Sequence, residues 1–257
     1  MSTTGPRTLV PGTETSWRRR RLDPGEPRGL RLTLAVAAAF LVLAPFTSLA
    51  LLVLGAWPPL HRLDTSVTRA LHDHALEHPG WVRLMAVWTD VFAPMPLRAA
   101  ALALVVWLVR RDARRLALWV VVTMVLGGLL GPLLKLLVGR NRPELLEPVA
   151  RATGYAFPSG HALNAALAAG VLLVVFLPFA RRPAQRAALW ATALLIAALT
   201  GASRVALGVH WTSDVIGGWL LGTAVLAATA AGFTVWRHTS PAARPLSHRQ
   251  PAPPRTP

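Results

Sequence analysis

The sequence contains no cysteine and few charged residues. The absence of cysteine excludes disulfides and thiolate metal sites, although it leaves the redox compartment undetermined. Only 15% of the 257 residues are Asp, Glu, Lys or Arg, whereas 53% are hydrophobic. Several apolar runs are longer than about eighteen residues, the length that a helix needs to cross a bilayer. The composition therefore predicts an integral membrane protein.

The apolar runs predict an all-α bundle of six transmembrane helices. Short basic or Pro-containing connections separate the runs, and the chain has no room for a second large domain. We expect one membrane domain over residues 32–236. Its predicted spans are 32–57, 91–109, 116–138, 159–180, 187–207 and 212–236.

Three segments are too polar to be spans. Residues 1–31 are rich in Arg, Pro, Gly and Thr, and residues 237–257 in Pro, Arg and Ser, so both are predicted to be disordered. Arg18 to Arg21 precede about 26 apolar residues, too many for a signal peptide, so the first span should be retained. Residues 58–90 predict an extracytoplasmic interfacial loop with one or two short amphipathic helices.

The net charge of +16 arises mainly at the ends of the apolar runs. Basic residues there fix orientation and attract anionic lipid headgroups, so we do not expect a nucleic-acid partner. Eighteen of the 27 Lys and Arg residues lie in segments 1–31, 110–115, 181–186 and 237–257. This side should be cytoplasmic, and it holds both termini. The outer ends of the third to sixth spans should then be extracytoplasmic, most simply at a plasma membrane.

Three polar strings lie at those outer ends. Lys135 and Arg142, with Arg204, are cations suited to anionic oxygens. His161 and His210 can carry protons or attack phosphorus. The strings are Lys135 followed by Arg142-Pro143, Pro158-Ser159-Gly160-His161, and Ser203-Arg204 followed by His210 and Asp214. Together they predict a phosphate site at the extracytoplasmic ends of helices 3 to 6.

Local geometry suggests how each group could act. A helix that starts near Ser159 and Gly160 presents free backbone N–H groups to an anion. If the turn after His210 is helical, Asp214 lies four residues on and can accept the Nδ1 proton, leaving Nε2 free. Each residue taken alone also has a structural explanation, such as a snorkelling Lys135 or a capping Ser159. Those explanations would have to place every residue on one side of the membrane independently.

The eleven specified positions resemble the three-part signature of the type 2 phosphatidic acid phosphatase superfamily. That superfamily contains membrane lipid phosphatases and, on a related helical core, soluble acid phosphatases and vanadium haloperoxidases. The resemblance covers about residues 92–236, and none of the signature positions departs from the pattern.

The resemblance implies a role for each matching residue. His210 would attack phosphorus and form a phosphohistidine, Asp214 would orient it, and His161 would protonate the leaving oxygen and later activate water. No metal or other cofactor would be needed. The phosphoryl oxygens would be bound by Lys135, Arg142, Ser159, the Gly160 backbone N–H and Arg204.

The implied substrate is a lipid phosphomonoester or pyrophosphate, such as phosphatidic acid, phosphatidylglycerol phosphate or polyprenyl pyrophosphate. Nothing in the motifs selects among them, and selectivity would lie in residues 58–90 and 144–157. A lipid phosphotransferase with the same intermediate is one alternative. A lipid-phosphate binder or transporter without catalysis is another.

Two weaker patterns remain open. His74, Glu77 and His78 fit the H-x-x-E-H pattern of some zinc peptidases, with His72 nearby, but a solvated or headgroup-facing role is the simpler interpretation. Gly127 with Gly131 and Gly218 with Gly222 recur four residues apart. This spacing is compatible with close helix packing or with the general abundance of Gly in spans.

Overall fold

The computed structural model describes residues 27–239, and all of the regular structure in this range is helical. Residues 1–26 and 240–257, which make up most of the predicted disordered tails, lie outside the described range. The eight α-helices are α1 (Pro27–Leu54), α2 (Pro58–Glu77), α3 (Pro79–Val91), α4 (Pro94–Arg110), α5 (Arg114–Val138), α6 (Gly160–Phe176), α7 (Pro183–Ala206) and α8 (Thr212–Thr239). The outermost helices thus include residues 27–31 and 237–239, which the sequence assigned to the tails.

The described residues supply five stretches long and apolar enough to cross a membrane, or six if one bent pair counts as a span. That pair is the end of α1 with α2, which meet at 89°. Pro58 and Pro59 begin α2, and prolines favour a new helix start over continuation of the preceding helix. The predicted all-α, multi-pass membrane fold is confirmed.

The segment 58–90 was predicted to contain one or two short amphipathic helices, and the structure has two helices there. These are α2 and α3, and α3 combines with α4 into one apolar stretch of 32 residues, Pro79–Arg110. The second candidate span therefore begins before residue 91. The reason is that Trp81, Leu84 and Met85 make the start of this stretch apolar despite the charged residues nearby. The break at Phe92 and Ala93 is followed by Pro94 at the start of α4.

The core lies between α5, α6 and α8. Its fully buried side chains include Val120 on α5 and Leu163 and Leu167 on α6. Apolar side chains gain little from burial against each other when the surrounding solvent is also apolar, so close contact has to supply the stability. The glycine pairs provide that contact.

Gly218 and Gly222 allow α8 to approach α6. A Cβ on Gly218 would lie 2.6 Å from the Ser159 carbonyl oxygen, and one on Gly222 would lie 2.8 Å from the Cβ of Ala166. Any larger residue would push the two helices apart. The close-packing interpretation of the glycine spacing is therefore correct here, and it brings the start of α6 against the start of α8.

Candidate active site

Lys135 lies in the last turn of α5. The helix ends at Val138 because Gly139 adopts the left-handed conformation, with φ of 63°, and returns its N–H to the Lys135 carbonyl at 3.0 Å. The Lys135 ammonium donates to the Tyr155 carbonyl at 2.6 Å and to the Ala156 carbonyl at 3.3 Å. Its partners are neutral, so its positive charge is available to an anion.

Arg142 lies in the segment that follows α5. Its guanidinium donates to four backbone carbonyls, at 2.9 Å to Gly154, 3.0 Å to Thr153, 2.6 Å to Val209 and 3.4 Å to Tyr155. Burial lowers the pKa of this guanidinium, and the Asp214 carboxylate opposes the shift. A fifth contact, 3.2 Å long, joins Arg142 Nη1 to His210 Nε2.

The contact between Arg142 and His210 fixes the state of the imidazole. A guanidinium can only donate, so His210 Nε2 must accept and therefore carries no proton. The neutral ring then holds its proton on Nδ1, which lies 3.3 Å from Asp214 Oδ2. Burial lowers the pKa of His210 to about 4, although the hydrogen bond and the charge of Asp214 oppose the shift. His210 is thus a neutral base with its free lone pair facing a cation.

The start of α6 lies beside the start of α8. The Ser159 N–H donates to the Asp214 carbonyl at 2.9 Å, and α6 begins at Gly160. The Ser159 hydroxyl is fully buried and has no hydrogen-bond partner within residues 27–239. A buried hydroxyl next to a helix N-terminus is suited to an anionic oxygen.

Arg204 reaches the same place from the last turn of α7. Its Nη1 donates to the Thr89 hydroxyl on α3 at 3.0 Å, while its buried Nε has no hydrogen-bond partner in the described part of the chain. The charges of Arg204, Lys135 and Arg142 all act on His161, which lies in the first turn of α6. The eight site residues predicted from the three strings therefore lie together, where the ends of α5 and α7 meet the starts of α6 and α8.

This group contains three cations, Lys135, Arg142 and Arg204. Within the described range, none of them forms an ion pair. The three cations repel one another, and the charges of Asp214 and Asp90 offset part of this repulsion. An anion of several oxygens would relieve the rest. We call these three residues with Ser159 and Gly160 the phosphate pocket.

Sequence reasoning missed Arg140 and Asp64. Arg140 forms ion pairs with Asp64 and with Asp214, each 2.7 Å long, and both carboxylates are fully buried. Ser213 donates its N–H to the other oxygen of Asp64 at 2.9 Å. Two features of the sequence could have indicated them: Arg140 is a third cation between Lys135 and Arg142, and Asp64 is an acidic residue in the segment 58–90 to which no role was assigned. We call Asp64, Arg140 and Ser213 the Arg140 cluster.

The zinc-peptidase pattern does not form a ligand set in this range. The rings of His74 and His78 stack on each other with centroids 4.0 Å apart, and both side chains are exposed. His72 lies on the buried face of α2 with Asp64 and Thr68. No group of three or more His, Asp or Glu side chains in residues 27–239 is placed to hold a metal.

The PAP2 superfamily model matches residues 116–237, which include every position of the three strings. The matched segment, just under half of the chain, is similar to the PAP2 superfamily. The predicted resemblance is confirmed over this part of the chain. The PAP2 match begins inside α5 and includes α6, α7 and nearly all of α8, the helices that carry the phosphate pocket.

Two curated proteins and one solved structure are similar to this chain. An undecaprenyl-diphosphatase from Sulfolobus acidocaldarius is 34% identical over 123 residues, or 45% of this chain and 54% of that protein. Phosphatidylglycerophosphatase B from Bacillus subtilis is 41% identical over 97 residues, or 37% of this chain and 46% of that protein. The aligned regions thus span about half the length of these relatives.

The structural comparison extends further along the chain. The crystal structure of a transmembrane PAP2-type phosphatidylglycerolphosphate phosphatase from Bacillus subtilis matches with a TM-score of 0.65 and 26% sequence identity. The match covers 78% of this chain and 96% of that one. The PAP2 likeness therefore includes helices outside the three strings.

Proposed function

We propose that the protein is a membrane phosphatase that hydrolyses a lipid phosphomonoester or pyrophosphate through a phosphohistidine intermediate. The observation that carries the proposal is the state of His210. Its unprotonated Nε2 faces Arg142, and its Nδ1–H faces Asp214, 3.3 Å away. This is the arrangement of a nucleophile with an orienting base.

In the first step, the lone pair of His210 Nε2 forms a bond to phosphorus while the bond from phosphorus to the leaving oxygen breaks. The negative charge of the bound phosphoryl group would offset the cations around His161 and favour its imidazolium form, which transfers its proton to that oxygen. The alcohol or phosphate therefore leaves with one added proton. The phosphorylated His210 keeps its proton on Nδ1, which donates a hydrogen bond to Asp214. The leaving group then departs from the pocket.

In the second step, water attacks the phosphorus of phosphohistidine. His161, now neutral, takes a proton from the water, and the bond between nitrogen and phosphorus breaks with its electrons returning to Nε2. Phosphate is released, and both histidines recover their starting states. Each proton and electron pair is accounted for without an external oxidant or reductant.

The phosphate pocket would stabilise both transition states. Lys135, Arg142 and Arg204 supply positive charge, and the Ser159 hydroxyl and the Gly160 N–H supply hydrogen bonds to the equatorial oxygens. When the phosphoryl group arrives, Arg142 exchanges its contact with His210 Nε2 for a phosphoryl oxygen. This exchange frees the nucleophile only when a substrate is bound.

A lipid substrate is supported by the spaces beside Arg142. One cavity of about 460 Å³ contacts Arg140 and Arg142 and, on its apolar side, Leu52, Trp57 and Leu60. A second cavity of about 710 Å³ lies between Arg142 and Val209 and the connecting segment 143–153. A site with cations at one end and apolar walls at the other suits an amphiphile. The relatives' names suggest polyprenyl pyrophosphate and phosphatidylglycerol phosphate, and phosphatidic acid is a third candidate.

The distribution of basic residues supports an orientation for this multi-pass membrane protein. The segments 1–31 and 237–257 would lie on the cytoplasmic side of a plasma membrane, together with the basic connections 110–115 and 181–186. The phosphate pocket would then be extracytoplasmic. A cysteine introduced at exposed Leu146 should react with an impermeant reagent in intact cells, whereas one introduced at exposed Asp112 should not.

A phosphotransferase would use the same intermediate but pass the phosphoryl group to a second lipid or a sugar. A binder or transporter would use the phosphate pocket alone. The decisive assay measures phosphate release by detergent-solubilised protein from a panel of lipid phosphates and pyrophosphates with EDTA present. Release without an acceptor, lost in His210→Ala, supports hydrolysis. Release that requires an acceptor identifies a transferase, and unchanged release in His210→Ala excludes the proposed nucleophile.

A further inference from the structure

We propose that Arg140 and Asp64 are positioning residues for the reaction: together they hold the Asp214 carboxylate, and through it His210, in the geometry needed for attack. This inference rests on the proposed function. Arg140 lies outside the positions of the three-part signature, and Asp64 lies outside the matched segment 116–237.

Arg140 fixes one oxygen of Asp214. Its Nη1 donates to Asp214 Oδ1 and to the Ser213 hydroxyl, both at 2.7 Å, while its Nη2 donates to Asp64 Oδ2 at 2.7 Å. The planar guanidinium therefore bridges two carboxylates from α2 and α8. Its carbon also lies 5.6 Å from the centroid of the Trp211 ring, the residue next to His210.

Asp64 fixes the start of α8. It accepts the N–H of Ser213, in the first turn of that helix, at 2.9 Å. The first N–H groups of a helix have no partner within the helix, and a carboxylate there also interacts favourably with the helix dipole. A residue of α2 thereby caps the helix that carries Asp214, across 149 positions of sequence.

These contacts leave the Asp214 side chain no freedom to turn. Oδ1 is held by Arg140, and Oδ2 accepts the Trp211 N–H at 2.8 Å, so only the longer contact of 3.3 Å remains for His210 Nδ1. A rotation that improved or lost the histidine contact would break an ion pair in a fully buried position. The orientation of the nucleophile thus depends on Arg140.

A purely stabilising role explains this arrangement less well. Buried ion pairs are often no more stable than apolar residues of the same volume, because the desolvation of the charges offsets their attraction. What such a pair does supply is one defined geometry, since losing either partner leaves a buried charge without compensation. That property suits a carboxylate that must keep an imidazole in place.

The same cluster should influence the charge state of His210. The charged groups that act on His210 are Asp214, Arg142 and Lys135, and His161 faces it from α6. Arg140 acts through its bond to Asp214. Removing the positive charge of Arg140 should raise the pKa of His210, whereas removing the negative charge of Asp64 should lower it or leave it unchanged.

The kinetic test compares wild type, Arg140→Gln, Asp64→Asn and the double variant in detergent. Each single change should reduce kcat by about 10-fold to 100-fold, the usual effect of losing a partner behind a reacting group, with KM changed less than about 3-fold. The double variant should be faster than Arg140→Gln alone, because it removes one of the two uncompensated carboxylates. Arg62→Gln, an exposed change on the same helix, should match wild type.

An activity-independent measurement accompanies the kinetics. Histidine NMR titration, with His210 identified by comparison with His210→Gln, should show the pKa moving upward in Arg140→Gln and not upward in Asp64→Asn. Wild-type kcat in both variants, or the same upward shift in both, would overturn the inference. If wild type proves inactive or independent of His210, the proposed function fails, and the NMR titration still decides whether the cluster controls His210.

Discussion

Arg140 and Arg142 are two residues apart, and their surroundings differ in the property that determines what each can do. Arg140 forms ion pairs with two fully buried carboxylates. Arg142 donates to four backbone carbonyls and to the Nε2 of His210, and it forms no ion pair with a carboxylate in residues 27–239. The first cation is already neutralised, while the second keeps a charge that an incoming anion can use.

This difference between the two arginines also distinguishes the phosphate pocket from the Arg140 cluster. In the phosphate pocket, neutral carbonyl and hydroxyl groups hold the cations in place without cancelling their charge. In the Arg140 cluster, opposite charges cancel and the gain is a fixed geometry. In the proposed mechanism, the pocket would bind the substrate and the cluster would orient the reacting histidine.

The largest expected effect comes from removing the group that both regions serve. His210→Ala should reduce kcat by about 10⁴-fold or more, because no other side chain replaces a lost nucleophile. Phosphate release from a lipid phosphate measures it, and His78→Ala, an exposed change, should retain wild-type activity. Residual activity above about one percent of wild type would contradict the assignment of both regions.

The next effect distinguishes the two arginines directly. Arg142→Gln should reduce kcat/KM by about 10²-fold to 10³-fold, as expected for a donor that stabilises the transition state. It should also abolish the rise in Tm that inorganic phosphate or vanadate gives to the wild-type protein. Arg140→Gln should keep that rise. If phosphate stabilises Arg142→Gln as strongly as wild type, the division between pocket and cluster is wrong.

For the free energy of unfolding, the cluster variant should lose more than a pocket variant. Arg140→Gln breaks two ion pairs and leaves buried carboxylates uncompensated, which should cost about 3 to 5 kcal/mol of unfolding free energy. Arg204→Gln loses one hydrogen bond, to Thr89, and should cost about 1 kcal/mol. Thermal unfolding in detergent measures both. A larger loss in Arg204→Gln would show that the pocket, and not the cluster, holds these helices together.

The pH dependence provides a smaller effect. The pKa of His210 is about 4 in the folded protein, below its usual value of 6.5. The unfolded chain therefore binds more protons between these values, so unfolding free energy should decrease as the pH falls from 6.5 to 4, by on the order of 3 kcal/mol. Above pH 6.5 this stability is fully present. His210→Gln should flatten the dependence of Tm over that window, and an unaltered slope would contradict the burial argument.

Much of the fold was predictable because its signals are local. Apolar run length located the spans, and Gly139 together with the prolines marked helix ends within a few residues. The early start of the second span was missed because charged residues in 79–91 obscured an apolar stretch. The three strings predicted which residues lie together, while their catalytic roles stay predictions.

The Arg140 cluster was not predictable for a physical reason. Asp64 and Arg140 are separated by 76 positions, and their contact depends on the 89° bend that turns α2 toward the start of α8. No local periodicity encodes that bend angle or the face of α2 that becomes buried. Arg140 also lies within the spacing between Lys135 and Arg142, where sequence reasoning assigned no role.

The most direct test of the central claim is detection of the phosphohistidine itself. An aryl phosphate whose leaving group needs no protonation should phosphorylate His161→Ala, which lacks the base for hydrolysis, so the intermediate should accumulate. Mass spectrometry under alkaline conditions should then find one phosphoryl group on the peptide containing His210, and none in the His161→Ala and His210→Ala double variant. A phosphoryl group on another residue, or steady turnover with His210 unmodified, would contradict the account.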